Sequence, residues 1–191
     1  DFDNGQLSEG KLHLYRGSAA GIITPAFWTY ESNIGNTRIG VSVSTAGDIN
    51  GDGYSDLIIG SEGFISAGKV FSFLGSATGP SASPDWTYDD IANGGFLGYS
   101  VSSAGDVNGD GFDDVIVGAD IANSNTGRAY IYFGGASMNN VADVTMTGQN
   151  SINTNFFGTS ISGTGDLNGD GYSDVIVGAD GYYVGNGRVY I

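Results

Sequence analysis

The sequence predicts an all-β protein made of β-propeller blades, each a sheet of four antiparallel strands. Three observations carry this prediction. An acidic, glycine-rich segment occurs three times, and matching sets of short β-favouring runs surround each copy. Glycine fills 34 of 191 positions, against about 7% in an average protein. So much glycine among Tyr, Phe, Val and Ile, without a G-X-Y period, describes short strands joined by tight turns.

The repeat sets the organisation. Its most regular part reads Gly47-Asp48-Ile49-Asn50-Gly51-Asp52-Gly53-Tyr54-Ser55-Asp56-Leu57-Ile58-Ile59-Gly60. It returns as Gly105–Gly118 and again as Gly165–Gly178, with Asp48, Asp106 and Asp166 spaced 58 and 60 positions apart. A Gly-x-Ser pattern precedes each copy: Gly40-Val41-Ser42, Gly98-Tyr99-Ser100 and Gly158-Thr159-Ser160.

The later elements follow in the same order. Val115-Ile116-Val117 is continuously apolar, as expected of a strand covered on both faces. A glycine-basic-aromatic run comes next, as Gly68-Lys69-Val70-Phe71, Gly127-Arg128-Ala129-Tyr130 and Gly187-Arg188-Val189-Tyr190, with an early copy at Gly10–Tyr15. Lys69–Phe73 alternates enough to be read as half exposed or sheet-flanking. The last element is Trp28-Thr29-Tyr30 and Trp86-Thr87-Tyr88, weakening to Val144-Thr145-Met146. Four strands per repeat of about 60 residues describe a blade. The expected division is one partial propeller over 1–191, with repeats 1–63, 64–121 and 122–181, and 182–191 starting a further element.

Charge narrows the partners. The net charge is −15, from 21 acidic and 6 basic residues, so phosphate backbones and anionic membrane surfaces are repelled and no nucleic acid partner is expected. The chain has no cysteine, so disulfides say nothing of its compartment. No apolar run approaches the roughly 20 residues of a membrane span, so membrane insertion is not expected. The start, Asp1-Phe2-Asp3-Asn4, reads as the middle of a repeat rather than a targeting segment.

The acidic segments carry chemistry. Asp48, Asn50, Asp52 and Asp56 occupy loop positions 1, 3, 5 and 9, with the Tyr54 carbonyl at position 7. The equivalent sets are Asp106, Asn108, Asp110, Asp114 with the Phe112 carbonyl, and Asp166, Asn168, Asp170, Asp174 with the Tyr172 carbonyl. Alternate residues of a tight turn present hard oxygens to one centre, which is what Ca²⁺ requires. About three Ca²⁺, one per loop, are expected. Three carboxylates per loop give −3 and the ion adds +2, so filling all three takes the chain from −15 to −9. An EF-hand would need an acid at position 12 and flanking helices, but position 12 is Ile59, Val117 or Val177. Metal-free Asp-Gly and Asn-Gly hairpin turns are the competing reading; three complete ligand sets in register weigh against it.

With these residues in view, the chain resembles the FG-GAP repeats of integrin alpha-subunit β-propellers and their bacterial relatives. Phe157-Gly158-Thr159-Ser160 matches one half of that motif, and Leu97-Gly98-Tyr99-Ser100 and Ile39-Gly40-Val41-Ser42 match it more loosely. Val117-Gly118-Ala119-Asp120 and Val177-Gly178-Ala179-Asp180 match the other half, with Ile59-Gly60-Ser61-Glu62 in the first repeat. The family's proline is absent throughout. The resemblance implies four-stranded blades, the calcium loop as a hairpin on one rim, mainly structural ions, and ligands met on other loops. Three repeats are too few for a ring of about four to eight blades. The chain is therefore expected to be part of a larger propeller, or to self-associate through incomplete end blades.

Other candidates fall into place around this reading. His13, the single histidine, lies between Leu12 and Leu14 and is expected to pack or face solvent. Triads and zinc sites lack their residues. Outside the loops, Glu31, Asp85, Asp89, Asp90 and Asp143 form no catalytic constellation, so no enzyme is expected. Trp28, Tyr30, Trp86 and Tyr88 suit a carbohydrate surface or, since they recur with the repeat, packing between blades. The segments Ile121–Thr126, Met138–Asp143 and Gly148–Asn155 break the repeat and are candidates for specificity. The expected function is an extracellular, calcium-stabilised adhesion or binding module whose protein or glycan ligand is unknown. Alternatives are a structural subunit assembling head to tail, or an accessory domain of a secreted enzyme. Asn-containing ligand sets suit millimolar calcium, hence the expected secreted or cell-surface location.

Overall fold

A computed structural model describes residues 6–63, 67–90, 95–149, 155–181 and 187–191. Among these, strands form four antiparallel sheets. β1 (Leu12–Ser18) and β2 (Gly21–Tyr30) make a two-stranded hairpin. β3 (Ile39–Gly47), β4 (Asp56–Ser61), β5 (Lys69–Phe73) and β6 (Trp86–Asp89) form a four-stranded sheet in that order. β7 (Ser100–Gly105), β8 (Asp114–Ala119), β9 (Arg128–Tyr132) and β10 (Val144–Thr147) repeat it. β11 (Phe157–Gly165), β12 (Asp174–Ala179) and β13 (Arg188–Tyr190) give the first three strands once more. The helical turn Ala122–Asn125 carries left-handed φ values of 54° at Asn123 and 59° at Ser124, so it cannot propagate.

These sheets are propeller blades, and the repeat motifs explain how they stack. The first strands of successive blades, β3, β7 and β11, lie side by side. Ser42 Oγ donates to the Gly98 carbonyl at 2.8 Å, and Ser100 Oγ donates to the Gly158 carbonyl at 2.7 Å. The Gly-x-Ser pattern is thus an inter-blade latch. Gly60 answers it from β4: a Cβ there would stand 1.8 Å from the Gly98 carbonyl oxygen. Only glycine lets the two backbones approach this closely.

Apolar packing follows the same plan. Val115, Ile116 and Val117 are each fully buried, as a strand enclosed between blades should be. Lys69–Phe73 departs from expectation: Val70, Phe71, Ser72 and Phe73 are all buried. Alternation within a strand marks one wet face only when a single side of the sheet is covered, and here neighbouring blades cover both. The aromatic residues of the outer strands join the blades. Trp28 and Tyr30 meet Phe73 at ring separations of 5.2 and 4.8 Å, and Trp86 and Tyr88 meet Tyr132 at 5.2 and 5.5 Å. Trp86 is buried and its Nε1 donates to the Asn139 carbonyl. This is the packing arrangement, and it draws Met138–Asp143 into the blade contact.

Candidate metal centres

Each acidic segment is the connection between the first and second strand of a blade: β3 to β4, β7 to β8 and β11 to β12. All three connections therefore leave their blades at the same strand ends. Glycine makes the tight path possible, with φ of 76° at Gly51 and 89° at Gly53, a region that side chains with a Cβ avoid.

Position 1 organises the loop. Asp48 Oδ1 accepts N–H bonds from Gly51 and Asp52, and its Oδ2 accepts one from Gly53, at 2.7 to 3.0 Å. Asp106 takes the same three donors in the second loop, and Asp166 takes them in the third. The N–H of Gly171, helped by those of Gly169 and Asp170, holds the Asp166 carboxyl below the ordinary carboxylate range.

Positions 3 and 5 interlock. The Asp52 N–H donates to Asn50 Oδ1 at 3.0 Å, and Asn50 Nδ2 donates to Asp52 Oδ2 at 3.0 Å. The Tyr54 N–H completes the turn on Asp52 Oδ1 at 2.9 Å. Asn108, Asp110 and Phe112 repeat the pattern, as do Asn168, Asp170 and Tyr172.

Position 9 does something else. Asp56 is fully buried; its Oδ2 accepts the Ile49 N–H at 2.9 Å and its Oδ1 the Gly75 N–H at 2.7 Å. Asp114 is placed alike, between Val107 and Gly134. These acids tie the loop to its own blade. Burial raises the Asp56 carboxyl above its ordinary value and pushes that of Asp114 up to about 6, against the opposing pull of their amide donors. Asp174 is only half buried and accepts the Leu167 N–H at 2.8 Å.

The sequence-predicted ligand residues are thus gathered loop by loop, with main-chain N–H groups as their partners. Among the described residues, no three His, Asp or Glu side chains stand close enough together to hold a metal ion. The donor chemistry still suits a hard cation. A carboxylate offers about four lone-pair sites, and Asp48 uses three of its own while Asp52 and Asp56 use two each. Each retains a site for an ion without breaking a loop hydrogen bond.

Sequence reasoning left the contacts of several residues unassigned. Asp85 and Asp143 are equivalent, accepting the N–H of Leu74 and of Phe133, each at 2.8 Å. Lys69–Asp89 is a cross-strand ion pair, and Lys11–Glu31 pairs just beyond the ends of β1 and β2. Tyr130 donates to buried Asp90 at 3.1 Å. Asp113 of the second loop accepts the Asp48 N–H of the first at 2.8 Å; its only signal in the sequence is that Ser55 and Ser173 stand at the same position. His13 is exposed on β1. The segment Ile121–Thr126 presents the Asn125 carbonyl to the N–H groups of Asn155 and Phe156, so it too supports blade packing. Most of Gly148–Asn155 lies outside the described residues. No helix among the described residues is long and apolar enough to cross a membrane.

Comparison with known proteins agrees with this architecture. Residues 40–73, 97–132 and 157–191 match the FG-GAP repeat family. Integrin alpha-PS2 of Drosophila melanogaster is 31% identical over 206 aligned residues, covering 94% of this chain and 14% of the relative. Integrin alpha-5 of Xenopus laevis is 34% identical, covering 74% of this chain and 15% of its own length. Integrin alpha-2 of Bos taurus is 41% identical over a shorter stretch, 46% of this chain and 8% of the relative. The chain therefore spans about one seventh of the first two relatives, 14% and 15% of their lengths.

Proposed function

Because the chain belongs to the FG-GAP repeat family, we propose that it is a calcium-stabilised binding module of the integrin-alpha type, acting outside the cell. The observation that carries the proposal is the threefold recurrence of one loop geometry, in which the position 1 carboxylate gathers the same main-chain amides each time. Asp48, Asn50, Asp52 and the Tyr54 carbonyl would hold the first ion, and Asp56 would add a ligand from the blade itself. Asp106, Asn108, Asp110, Phe112 and Asp114 would serve the second loop, and Asp166, Asn168, Asp170, Tyr172 and Asp174 the third. When bound, Ca²⁺ supplies positive charge where three carboxylates otherwise repel one another. The residues orient the loop and fix its strand ends; no step of chemistry is required of them.

Adhesion or partner recognition is the role this reading favours, since the relatives are integrin alpha subunits by name. A module that needs millimolar calcium belongs where calcium is millimolar, at the cell surface or in the medium. Thermal unfolding in millimolar calcium and in excess EDTA tests the proposal, with light scattering to give the mass. Ligands that bind the folded state raise its stability, by about 2.7 kcal/mol at a hundredfold excess over Kd. An unchanged melting temperature in EDTA sinks it.

A further inference from the structure

The structure assigns Asp113 as a positioning residue for the neighbouring cation loop, so that the first two loops bind as a linked pair. This inference rests on the calcium reading above and concerns which residues shape the first site.

Asp113 belongs to the second loop, yet it grips the first at both main-chain groups of position 1. Its Oδ2 accepts the Asp48 N–H at 2.8 Å, and its own N–H donates to the Asp48 carbonyl at 3.1 Å. Gly135 N–H continues the clamp on the Ile49 carbonyl at 2.7 Å. Beside it the Phe112 ring lies on Gly51, where a Cβ would come within 2.7 Å of the ring. At Gly47 a Cβ would fall 2.2 Å from the Asp113 carboxylate. The space for this side chain exists only because residue 47 is glycine.

The third loop reproduces the scaffold without the carboxylate. Ser173 N–H donates to the Asp106 carbonyl at 2.9 Å, and Tyr172 lies on Gly109 as Phe112 lies on Gly51. Main-chain stacking is therefore common to both junctions, whereas the charge-bearing acceptor belongs to one. Its consequence is electrostatic and geometric together. Asp113 brings a fourth carboxylate to Asp48, Asp52 and Asp56, adding attraction for a cation in the first loop. It also fixes the residue whose carboxylate gathers the Gly51, Asp52 and Gly53 amides. Since Asp113 lies between Asp110 and Asp114, a cation that orders the second loop sets Asp113 in place on the first. Linkage makes the effect reciprocal.

Tyrosines at position 7 of the first and third loops, Tyr54 and Tyr172, offer separate antennae for terbium luminescence. Terbium chloride titrations of the full chain in a Tyr172→Phe background follow the first loop, and in a Tyr54→Phe background the third together with the second, on whose Gly109 the Tyr172 ring lies. Asp113→Ser, which installs the residue of the other repeats, is expected to weaken terbium binding at the first loop about tenfold, within the usual range of coupling between sites. The third loop is expected to keep its affinity. Asp113→Asn retains the acceptor but not the charge and is expected to recover about half of the logarithmic loss, since charge-assisted hydrogen bonds are roughly twice as strong as neutral ones. Equal changes at both loops, or no change at either, overturn the inference while three calcium sites by calorimetry leave the calcium reading standing. No uptake of either ion by the unmodified chain removes both. Circular dichroism of each variant confirms that the blades are folded.

Discussion

Ser42 reaches across from one blade to the next and donates its hydroxyl to the Gly98 carbonyl at 2.8 Å. Gly60 stands beside that bond, with no room for a Cβ against the same carbonyl. The two residues turn a short repeat motif into an interface, because each blade supplies the donor and the gap that its neighbour needs.

Gly60→Ala is therefore expected to destabilise the chain by about 3 kcal/mol, the upper end of the usual range for forcing atoms into a packed site. Gly178→Ala, where the nearest obstacle is the Ser160 hydroxyl rather than a neighbouring carbonyl, is expected to cost less than half as much. Urea midpoints of both variants check this, and equal losses would show that the close approach of Gly60 and Gly98 is unimportant.

Asp56 and Asp52 divide the work of one loop. Asp56→Ala strands two main-chain donors, Ile49 and Gly75 N–H, and is expected to cost about 2–4 kcal/mol even in EDTA, given about 1–3 kcal/mol per unsatisfied buried group, with a further loss in calcium. Asp52→Ala is expected to lose stability mainly in calcium. Melting curves of both variants with and without EDTA separate them; equal losses in EDTA would contradict the division.

Asp120 supplies a pH dependence away from the loops. It is buried, with Oδ1 lacking a hydrogen-bond partner among the described residues, and burial, with Glu62 and Asp180 adding repulsion, raises its carboxyl from 3.8 to about 6. The folded state thus holds this proton more tightly than the unfolded state does, and stability falls as pH rises from about 4 to 6. Asp120→Asn removes that loss. The variant is expected to exceed the parent by on the order of 2 kcal/mol at pH 7 and to match it below about pH 4. The same difference at both pH values would refute the assignment.

Trp86 tests the outer contact. Trp86→Phe keeps an aromatic ring against Tyr132 but abandons the Asn139 carbonyl, for an expected loss of about 1 kcal/mol. Trp86→Ala empties the site and is expected to cost about 3–5 kcal/mol. If the alanine variant retains its urea midpoint, the aromatic ladder does not join the blades.

Much of this architecture is legible in the chain itself. The recurrence of Asp48–Gly60 marks the loops and the strands they join, because a repeated unit must solve the same local problem each time. Continuous apolar character at Val115–Val117 announces a strand enclosed on both faces, as it is. The hydrogen-bonded Asp and Asn residues of each loop are legible as one group because they are close in sequence, and alternate residues of a turn have few directions to point.

Relations between blades were beyond such reading. Whether Lys69–Phe73 faces solvent depends on a neighbouring sheet, not on its own alternation. Asp56 looks like its loop companions, yet burial and two amide donors make it a tie to the blade. Asp113 and Asp48 are 65 positions apart, and nothing local brings them together. The sequence by itself determined the repeat, the strands and the hydrogen-bonded acidic loops, since these rest on short-range geometry and periodicity. Only the tertiary structure decided which carboxylates are buried and which loop each one holds, because both depend on how adjacent blades stack.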